Sequence, residues 1–276
     1  MFSLNCKGKL LVIDKPLVMG IINVTPDSFY EGSRQQACTS VLEQATKMMN
    51  DGADIIDVGG QSTRPGSKRI SVKEELQRVL PAIETIIKNF PNTIISVDTY
   101  QSTVAQEAIK AGATIINDIS AGNMDENMIP AVAKLQVPYI CMHMKGTPKD
   151  MQENASYEDI TKEILDFFIQ KTAECKQAGI NDIIIDPGFG FSKTIAHNFT
   201  LLKTLSIFKM LEKPILAGLS RKSIIYKTLN ATPENALNGT TVLNTLALQN
   251  GANILRVHDV KEAKEAIKLC ELYSHA

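Results

Sequence analysis

The chain lacks the residue patterns that mark several large classes of protein. Its 276 residues hold five cysteines and four histidines, with no Cys-x-x-Cys pair and no two histidines four residues apart. These spacings give no support to a zinc ribbon, a redox motif or a helical metal site. The 29 lysines and arginines are balanced by 30 acidic residues, so no basic surplus indicates a nucleic-acid binder. An ordinary globular composition, 44% hydrophobic and 21% charged, argues against disorder and against a disulfide scaffold.

Long apolar segments are also missing. The longest, residues 17–24, is about half too short to cross a membrane. Residues 1–11 carry two lysines and no sustained apolar core, unlike a signal peptide. We therefore expect a soluble, reduced protein of the cytoplasm. Anionic small molecules remain possible ligands, because a few locally placed arginines and lysines bind them without changing the net charge.

Eight short runs rich in isoleucine, valine and leucine recur along the chain without polar alternation. Such runs are typical of parallel strands buried on both faces. They cover residues 17–22, 54–58, 93–97, 114–117, 138–142, 182–185, 214–217 and 253–257. Amphipathic segments alternate with the runs, among them 72–89, 157–178 and 261–273. Glycines that suit helix C-caps precede four runs, at Gly52, Gly112, Gly179 and Gly251.

This alternation predicts a single α/β domain over residues 1–276, folded as a (β/α)8 TIM barrel. No linker and no change of composition divides the chain. Residues 1–16 precede the first run, and we expect them to form a short N-terminal hairpin that closes the bottom of the barrel. A doubly wound open sheet is the rival architecture, but the turn at residues 23–27 lacks the G-x-G-x-x-G pattern that it would need.

Polar side chains stand where almost every predicted strand ends. In a TIM barrel the active site lies at these ends. The end positions are Asn23, Asp57, Asp98, Asn117, His143, Asp186, 220–222, Arg256 and His258. A single aspartate there could equally be a helix cap or a turn residue. The whole set is harder to explain that way, so we predict a polar mouth.

The candidate residues divide into two chemical groups. One combines acceptors, an amide and a cation, which suits a flat heterocycle with N–H and C=O edges: Asp98, Asn117, Asp186 and Lys222. The other is rich in donors and suits a phosphate or pyrophosphate: Asn23, Thr63, Arg64, Arg256 and His258. Two long loops rich in Gly, Pro and Ser, residues 25–33 and 59–67, resemble active-site lids.

These residues belong to a set of motifs that resembles the dihydropteroate synthases, the folate-pathway enzymes that sulfonamides inhibit. Nine segments appear in family order over residues 17–265, nearly the whole chain. They are MGIINVTPDSF (19–29), DVGG (57–60), STRPG (62–66), SVDT (96–99), INDI (116–119), MHM (142–144), DPGFGF (186–191), GLSRKS (218–223) and RVHD (256–259).

The resemblance implies a role for each matched position. The pterin would be held by Asp98, Asn117, Asp186 and Lys222, with Arg256 stacked over the ring. Its pocket would be lined by Ile119, Met142, Phe191 and Gly218. Pyrophosphate would be bound by Asn23, Thr63, Arg64, Arg256 and His258. The neighbours of p-aminobenzoate would be Phe29, Pro65, Lys222 and Ser223.

The reaction implied by the resemblance joins p-aminobenzoate to 7,8-dihydropterin-6-ylmethyl pyrophosphate. It releases pyrophosphate and gives 7,8-dihydropteroate. Because the pterin ring stabilises positive charge on the exocyclic carbon, we expect an S_N1-like course. Mg2+, ligated by Asn23 and phosphate oxygens, is the expected cofactor, with the two substrates and a second copy of the chain in a homodimer as partners. No nucleic acid or membrane is expected.

The chain departs from the family pattern in its two loops. Gln61 stands where glutamate is usual, and residues 30–33 read Tyr-Glu-Gly-Ser instead of a Ser-Asp-Gly-Gly type. Two other readings stay open. A pterin-dependent methyltransferase that serves a corrinoid protein could share the barrel, although it has no use for a pyrophosphate pocket. A silent pterin-binding paralogue could share the site, although it should have lost one of the groups named above.

Overall fold

Eight parallel strands form a ring at the centre of this computed structural model, which describes residues 1–25, 34–63 and 66–276. The ring strands are β3 (Leu17–Asn23), β4 (Ile55–Gly59), β5 (Ile94–Asp98), β6 (Ile115–Asp118), β7 (Tyr139–Met142), β8 (Ile183–Asp186), β9 (Leu216–Ala217) and β10 (Ile254–Val257). Neighbours pair in chain order from β3 to β8, and β10 lies between β9 and β3. A parallel bridge between Ile185 and Ile215 joins the two ends of this sheet. The predicted (β/α)8 barrel is confirmed.

Helices surround the ring and connect its strands. Within the described ranges they are α1 (Arg34–Asn50), α2 (Val72–Asn89), α3 (Ser102–Ala111), α4 (Met128–Leu135), α5 (Ile160–Gln177), α6 (Ile195–Lys203), α7 (Ser223–Tyr226), α8 (Leu237–Gln249) and α9 (Val260–His275), with a 3-10 helix at Leu205–Leu211. Their inner faces and the outward side chains of the strands form the larger hydrophobic core. No helix in this described part of the chain is both long and apolar enough to cross a membrane.

Local capping explains where two of the predicted helices begin. The side chain of Ser71 accepts a hydrogen bond from the amide of Glu74, so α2 starts at Val72 as predicted. The helix expected over 157–178 instead starts at Ile160, because Asp159 caps it by accepting from the amide of Lys162. The four glycines expected after helices all have positive φ, from 93° to 121°.

The N-terminal hairpin closes one end of the barrel, as expected from the sequence. It consists of β1 (Phe2–Cys6) and β2 (Lys9–Ile13), paired antiparallel. Its inward side chains share one hydrophobic cluster with Met19, Ile55 and other inward residues of the ring. The amide of Asn5 donates to Asp182 over 2.7 Å and Lys7 donates to the carbonyl of Ile109 over 2.8 Å. The hairpin therefore seals the amino ends of the strands and leaves the carboxyl ends open.

Candidate active site

The register of the strands brings the predicted polar side chains to one mouth. Asn23 pairs with Gly59, Gly59 with Asp98, and Asp98 with Asn117, along four successive strands. Asp186 ends β8 farther round the ring. These residues all stand at carboxyl ends, the end of a TIM barrel that carries active sites.

Arg256 forms the central ion pair of this mouth. Its Nε donates to Oδ2 of Asp57 over 2.7 Å, and its Nη2 lies 2.6 Å from Oδ2 of Asp98. Asn117 donates to the same Asp57 oxygen over 3.2 Å. The other oxygen of Asp57 is buried without a hydrogen-bond partner among the described residues. Asp57 was noted as a strand end but given no role from the sequence, and it proves to be the main partner of Arg256.

The charges of these side chains depend on one another. Burial raises the pKa of Asp98 to about 7, while Arg256 opposes the shift and Asp57 adds to it. Burial alone would lower the pKa of Arg256, but the carboxylates of Asp57 and Asp98 outweigh it and raise that pKa. Arg256 is therefore a permanent cation, whereas Asp98 changes charge near neutral pH. In this arrangement the guanidinium is bound to two carboxylates, a pairing that the sequence did not predict.

Asp186 and Lys222 form a second polar pair in the mouth. Asp186 is buried, and its Oδ1 accepts a hydrogen bond from the amide of Gly188 over 2.8 Å. Lys222 donates to the carbonyl of Phe189 over 2.5 Å, and its Nζ lies 4.8 Å from the centre of the Phe191 ring. Burial raises the pKa of Asp186 against the effect of Lys222, and burial lowers the pKa of Lys222 to about 8 against the effect of Asp186. An acceptor and a donor side by side match the amidine and carbonyl edge of a pterin.

An apolar cluster lies beside this pair. Three of the residues expected to line a pterin pocket share it, Ile119, Met142 and Phe191, together with Tyr100, Met124, Met144 and Met151. Gly218 follows β9, and a Cβ built on it would lie 3.5 Å from Nζ of Lys222 and 4.0 Å from Cβ of Arg256. The structure therefore brings together the candidate pterin residues, polar and apolar.

His258 stands at the exposed rim of the mouth, next to Arg256 in the chain. Its Nδ1 lies 3.0 Å from Oγ of Ser220, and its backbone amide donates to the same hydroxyl over 3.2 Å. Although one edge of the ring is exposed, the protein packed around the rest of it lowers the pKa of His258 to about 4, and the charge of Arg256 acts in the same direction. The imidazole is therefore neutral near pH 7. Ser223, a candidate neighbour of p-aminobenzoate, begins α7.

The second loop is fixed by the side chain of Gln61. Its Nε2 donates to the carbonyls of Ser62 and Lys68 over 2.7 and 3.0 Å, and its Oε1 accepts from the amide of Ile70 over 2.9 Å. Thr63 lies inside the segment that these bonds close. Three candidates fall outside the described residues: Phe29, in the first loop, and Arg64 and Pro65, in the second.

A buried lysine behind the pterin side was not singled out from the sequence. Lys193 is 3% exposed, and its ammonium lies 3.2 Å from Nδ1 of His143 and 3.0 Å from the carbonyl oxygen of Phe191. Burial lowers the pKa of Lys193 well below its usual value. Burial also lowers the pKa of His143 to about 2, with help from the Lys193 charge. The one available signal was a lysine directly after the GFGFS segment, which sequence alone reads as a solvated loop residue.

Comparison with known proteins defines the class of this barrel. Residues 19–258 match the model of a family described as "Pterin binding enzyme". The matched segment starts on β3 and ends at His258, so it contains every candidate site residue. The fold and its mouth are thus those of a pterin-binding enzyme.

Individual relatives narrow the class further. The dihydropteroate synthase of Escherichia coli strain K12 is 45% identical over 271 residues, which cover 98% of this chain and 95% of the relative. A structure of the Xanthomonas albilineans dihydropteroate synthase with 4-aminobenzoic acid has a TM-score of 0.93 at 38% identity, over 99% of this chain and 98% of that one. Another, in complex with 7,8-dihydropteroate, has a TM-score of 0.89 at 36% identity over the whole of both chains. This chain belongs to the dihydropteroate synthase family, whose members are transferases.

Proposed function

We propose that this chain condenses p-aminobenzoate with 7,8-dihydropterin-6-ylmethyl pyrophosphate in folate synthesis. The observation that carries the proposal is a mouth with two sides. Asp186 and Lys222 offer an acceptor and a donor beside an apolar cluster, and Arg256 and His258 offer donors to an anion. The relatives from Xanthomonas albilineans, one with 4-aminobenzoic acid and one with 7,8-dihydropteroate, support the same pair of substrates.

The reaction needs positioning and charge more than proton transfer. The bond between the exocyclic carbon and the pyrophosphate oxygen breaks, and the amine nitrogen of p-aminobenzoate forms a new bond to that carbon. The neutral aromatic amine loses one proton to solvent or to the released pyrophosphate. We infer an S_N1-like order, in which the first bond breaks before the second forms, because the ring stabilises the cation. Asp186 and Lys222 would orient the ring, while Arg256, with Asn23 and Thr63, would face the charge that develops on the leaving group.

A resident Mg2+ fits the donors that the mouth offers. The described residues contain no group of three His, Cys, Asp or Glu side chains able to hold a metal. Mg2+ commonly takes most of its ligands from substrate phosphates and water and only one or two from protein. The amide oxygen of Asn23, at the end of β3, suits such a site. When bound there, the ion would neutralise charge on the pyrophosphate oxygens.

Release of pyrophosphate from the purified protein tests the proposed reaction. With the pterin pyrophosphate, Mg2+ and p-aminobenzoate present, we expect pyrophosphate and dihydropteroate in equal amounts. Leaving out p-aminobenzoate should abolish formation of dihydropteroate, and chelation of Mg2+ should slow the release of pyrophosphate. Pterin binding without any product would instead indicate a silent paralogue.

Two variants test the assignment of residues. Arg256→Ala and Asp186→Ala should lose most of the activity while the proteins stay folded, as judged by circular dichroism. Lys162→Ala is the matched control, because Lys162 forms an exposed ion pair with Asp166 on the outer surface and should not affect turnover. Turnover close to wild type in either site variant would remove that residue from the mechanism.

We further propose that two copies of the chain associate through α8 and α9. Exposed apolar side chains stand on both helices, among them Val242, Leu246, Leu269 and Tyr273. A groove of about 350 Å³ between the two helices is lined by residues of both. Exposed apolar patches of this kind mark interaction surfaces. Light scattering after size exclusion should give twice the chain mass, and Leu269→Lys should give the single mass. Leu10→Lys, on the equally exposed hairpin, is the control that should remain dimeric.

A further inference from the structure

Ser220 and His258 contact each other twice. The Ser220 hydroxyl accepts a hydrogen bond from the backbone amide of His258 over 3.2 Å, and it lies 3.0 Å from the ring Nδ1 of the same residue. Ser220 is only 4% exposed, whereas His258 stands at the exposed rim. The hydroxyl is thus a buried group that touches the inner side of a partly exposed imidazole.

A neighbouring ion pair holds this contact in place. Arg221, the next residue after Ser220, donates through Nε and Nη2 to the two oxygens of Asp259, over 2.8 and 2.7 Å. Asp259 is the residue that follows His258. Arg221 also donates to the carbonyls of Pro233 and Glu234. Two consecutive pairs, 220 with 258 and 221 with 259, therefore join the loops that follow β9 and β10.

The number of hydrogens on the hydroxyl decides the state of the ring. A serine hydroxyl has one hydrogen to donate and two lone pairs. One lone pair accepts from the backbone amide of His258, and among the described residues Nδ1 of His258 is the acceptor that the hydrogen reaches. If Nδ1 carried a proton instead, a buried hydroxyl would lose its acceptor, and unsatisfied buried donors are unfavourable. Nδ1 is therefore the acceptor and the ring proton is on Nε2.

We propose that Ser220 is a positioning residue, which holds His258 in the neutral tautomer with a proton on Nε2 and directs that N–H towards the bound pyrophosphate. This proposal rests on the proposed function, because it takes the anion at the mouth to be the leaving group. The charged groups around the ring agree with a neutral imidazole: Arg256, Arg221 and Lys222 disfavour the imidazolium, and Asp259, the one carboxylate that favours it, is already paired with Arg221. His258 then acts as a donor of fixed direction at neutral pH.

The tautomer can be measured without any substrate. Two-bond proton–nitrogen correlation spectra of protein labelled with 15N-histidine separate the two neutral tautomers and the imidazolium. The chain has four histidines, and His258→Gln assigns the signal of interest by its disappearance. At pH 7.5 we expect wild-type His258 to show the Nε2–H pattern. Ser220→Ala should introduce the Nδ1–H form, whereas Ser220→Thr, which keeps the hydroxyl, should retain the wild-type pattern.

Steady-state kinetics on the same variants test the role in the reaction. Ser220→Ala should raise the KM for the pterin pyrophosphate about tenfold, the low end of the loss seen when a histidine ligand in a metal site loses its orienting partner. The KM for p-aminobenzoate should change little, and Ser220→Thr should restore the wild-type value. A wild-type ring protonated on Nδ1, or identical spectra for wild type and Ser220→Ala, would overturn the proposal. An altered tautomer with an unchanged KM would overturn its catalytic part.

Failure of the proposed function looks different. In that case wild-type protein would form no dihydropteroate, while the spectra would still report the tautomer of His258. Thermal unfolding of each variant separates a local change from loss of the fold. If Ser220→Thr does not fold, the wild-type and Ser220→Ala spectra decide the outcome.

Discussion

Asp57 and Arg256, which lie 199 residues apart in the chain, form an ion pair inside the barrel mouth, with Nε of the arginine 2.7 Å from Oδ2 of the aspartate. The aspartate is completely buried, so the arginine is what balances its charge. Asp98 shares the same guanidinium over 2.6 Å. The pair thus sets both the charge of the mouth and the position of a residue expected to meet the substrate.

Asp57→Asn should weaken the fold as well as the site. The change leaves Arg256 with Asp98 as its carboxylate partner, and disrupting a buried pair costs about 3 kcal/mol of unfolding free energy. Urea unfolding followed by circular dichroism gives this value. Asp166→Asn, in the exposed pair with Lys162, should unfold at the wild-type midpoint. Equal midpoints for both variants would mean that Asp98 alone suffices for Arg256.

The charge of Lys222 predicts an alkaline limit to activity. Burial lowers the pKa of Lys222 to about 8, so the ammonium is present below this pH and is lost as the pH rises through it. We expect kcat/KM for the pterin pyrophosphate to fall above about pH 8, since a neutral amine is a weaker donor to the ring. Lys222→Arg should move this limb to higher pH, because arginine stays protonated. The same limb in Lys222→Arg and wild type would assign the titration to another group.

Gln61 offers a test of how the second loop is held. In Gln61→Glu, a carboxylate would face the carbonyls of Ser62 and Lys68 and could donate to neither. We expect the KM for p-aminobenzoate to rise about tenfold at pH 8, in line with the loss of buried hydrogen bonds. Lowering the pH should reduce the defect, since a protonated carboxyl can donate once. Gln61→Met should show a defect that does not vary with pH, and a wild-type KM in both variants would show that these bonds do not control the subsite.

Gly188 is the glycine at which a side chain should do most harm. A Cβ there would lie 2.1 Å from the carbonyl oxygen of His143, and the backbone φ is +73°. Strain and steric overlap together predict a loss of about 3 kcal/mol of stability in Gly188→Ala. Pterin binding should weaken too, because the Gly188 amide orients Asp186. Gly179→Ala is the matched control: its φ is +95° but no atom lies within 4 Å of the added Cβ, so thermal unfolding should show about 1 kcal/mol.

The architecture could be predicted from the sequence because its signals are local. Each predicted run overlaps a strand of the ring, since strands buried on both faces need continuous apolar residues. The carboxyl ends of such strands must then lie together, which brought Asp98, Asn117 and Asp186 into one mouth. Capping was harder to place, as at Asp159, where the helix starts three residues later than the amphipathic pattern alone suggested.

The partners of the site residues could not be predicted in the same way. Which carboxylate Arg256 reaches depends on the packing inside the ring, which no local pattern records. Lys193 is compensated by the carbonyls of Phe191 and His143, and their positions follow from the path of the loop after β8. The role of Gln61 likewise depends on backbone atoms nine residues farther along the chain.

The ring closes between strands from opposite ends of the chain, with Leu17 of β3 beside Ile254 of β10. On the ribosome, Asp57 and Asp98 therefore emerge well before Arg256, the residue that neutralises both. Until β10 docks, these carboxylates must remain hydrated, and the mouth has neither its shape nor its charge. Pairings between such distant segments also form late in folding. A growing chain thus becomes able to recognise its substrates only when the barrel is complete, which protects the unfinished protein from binding them prematurely.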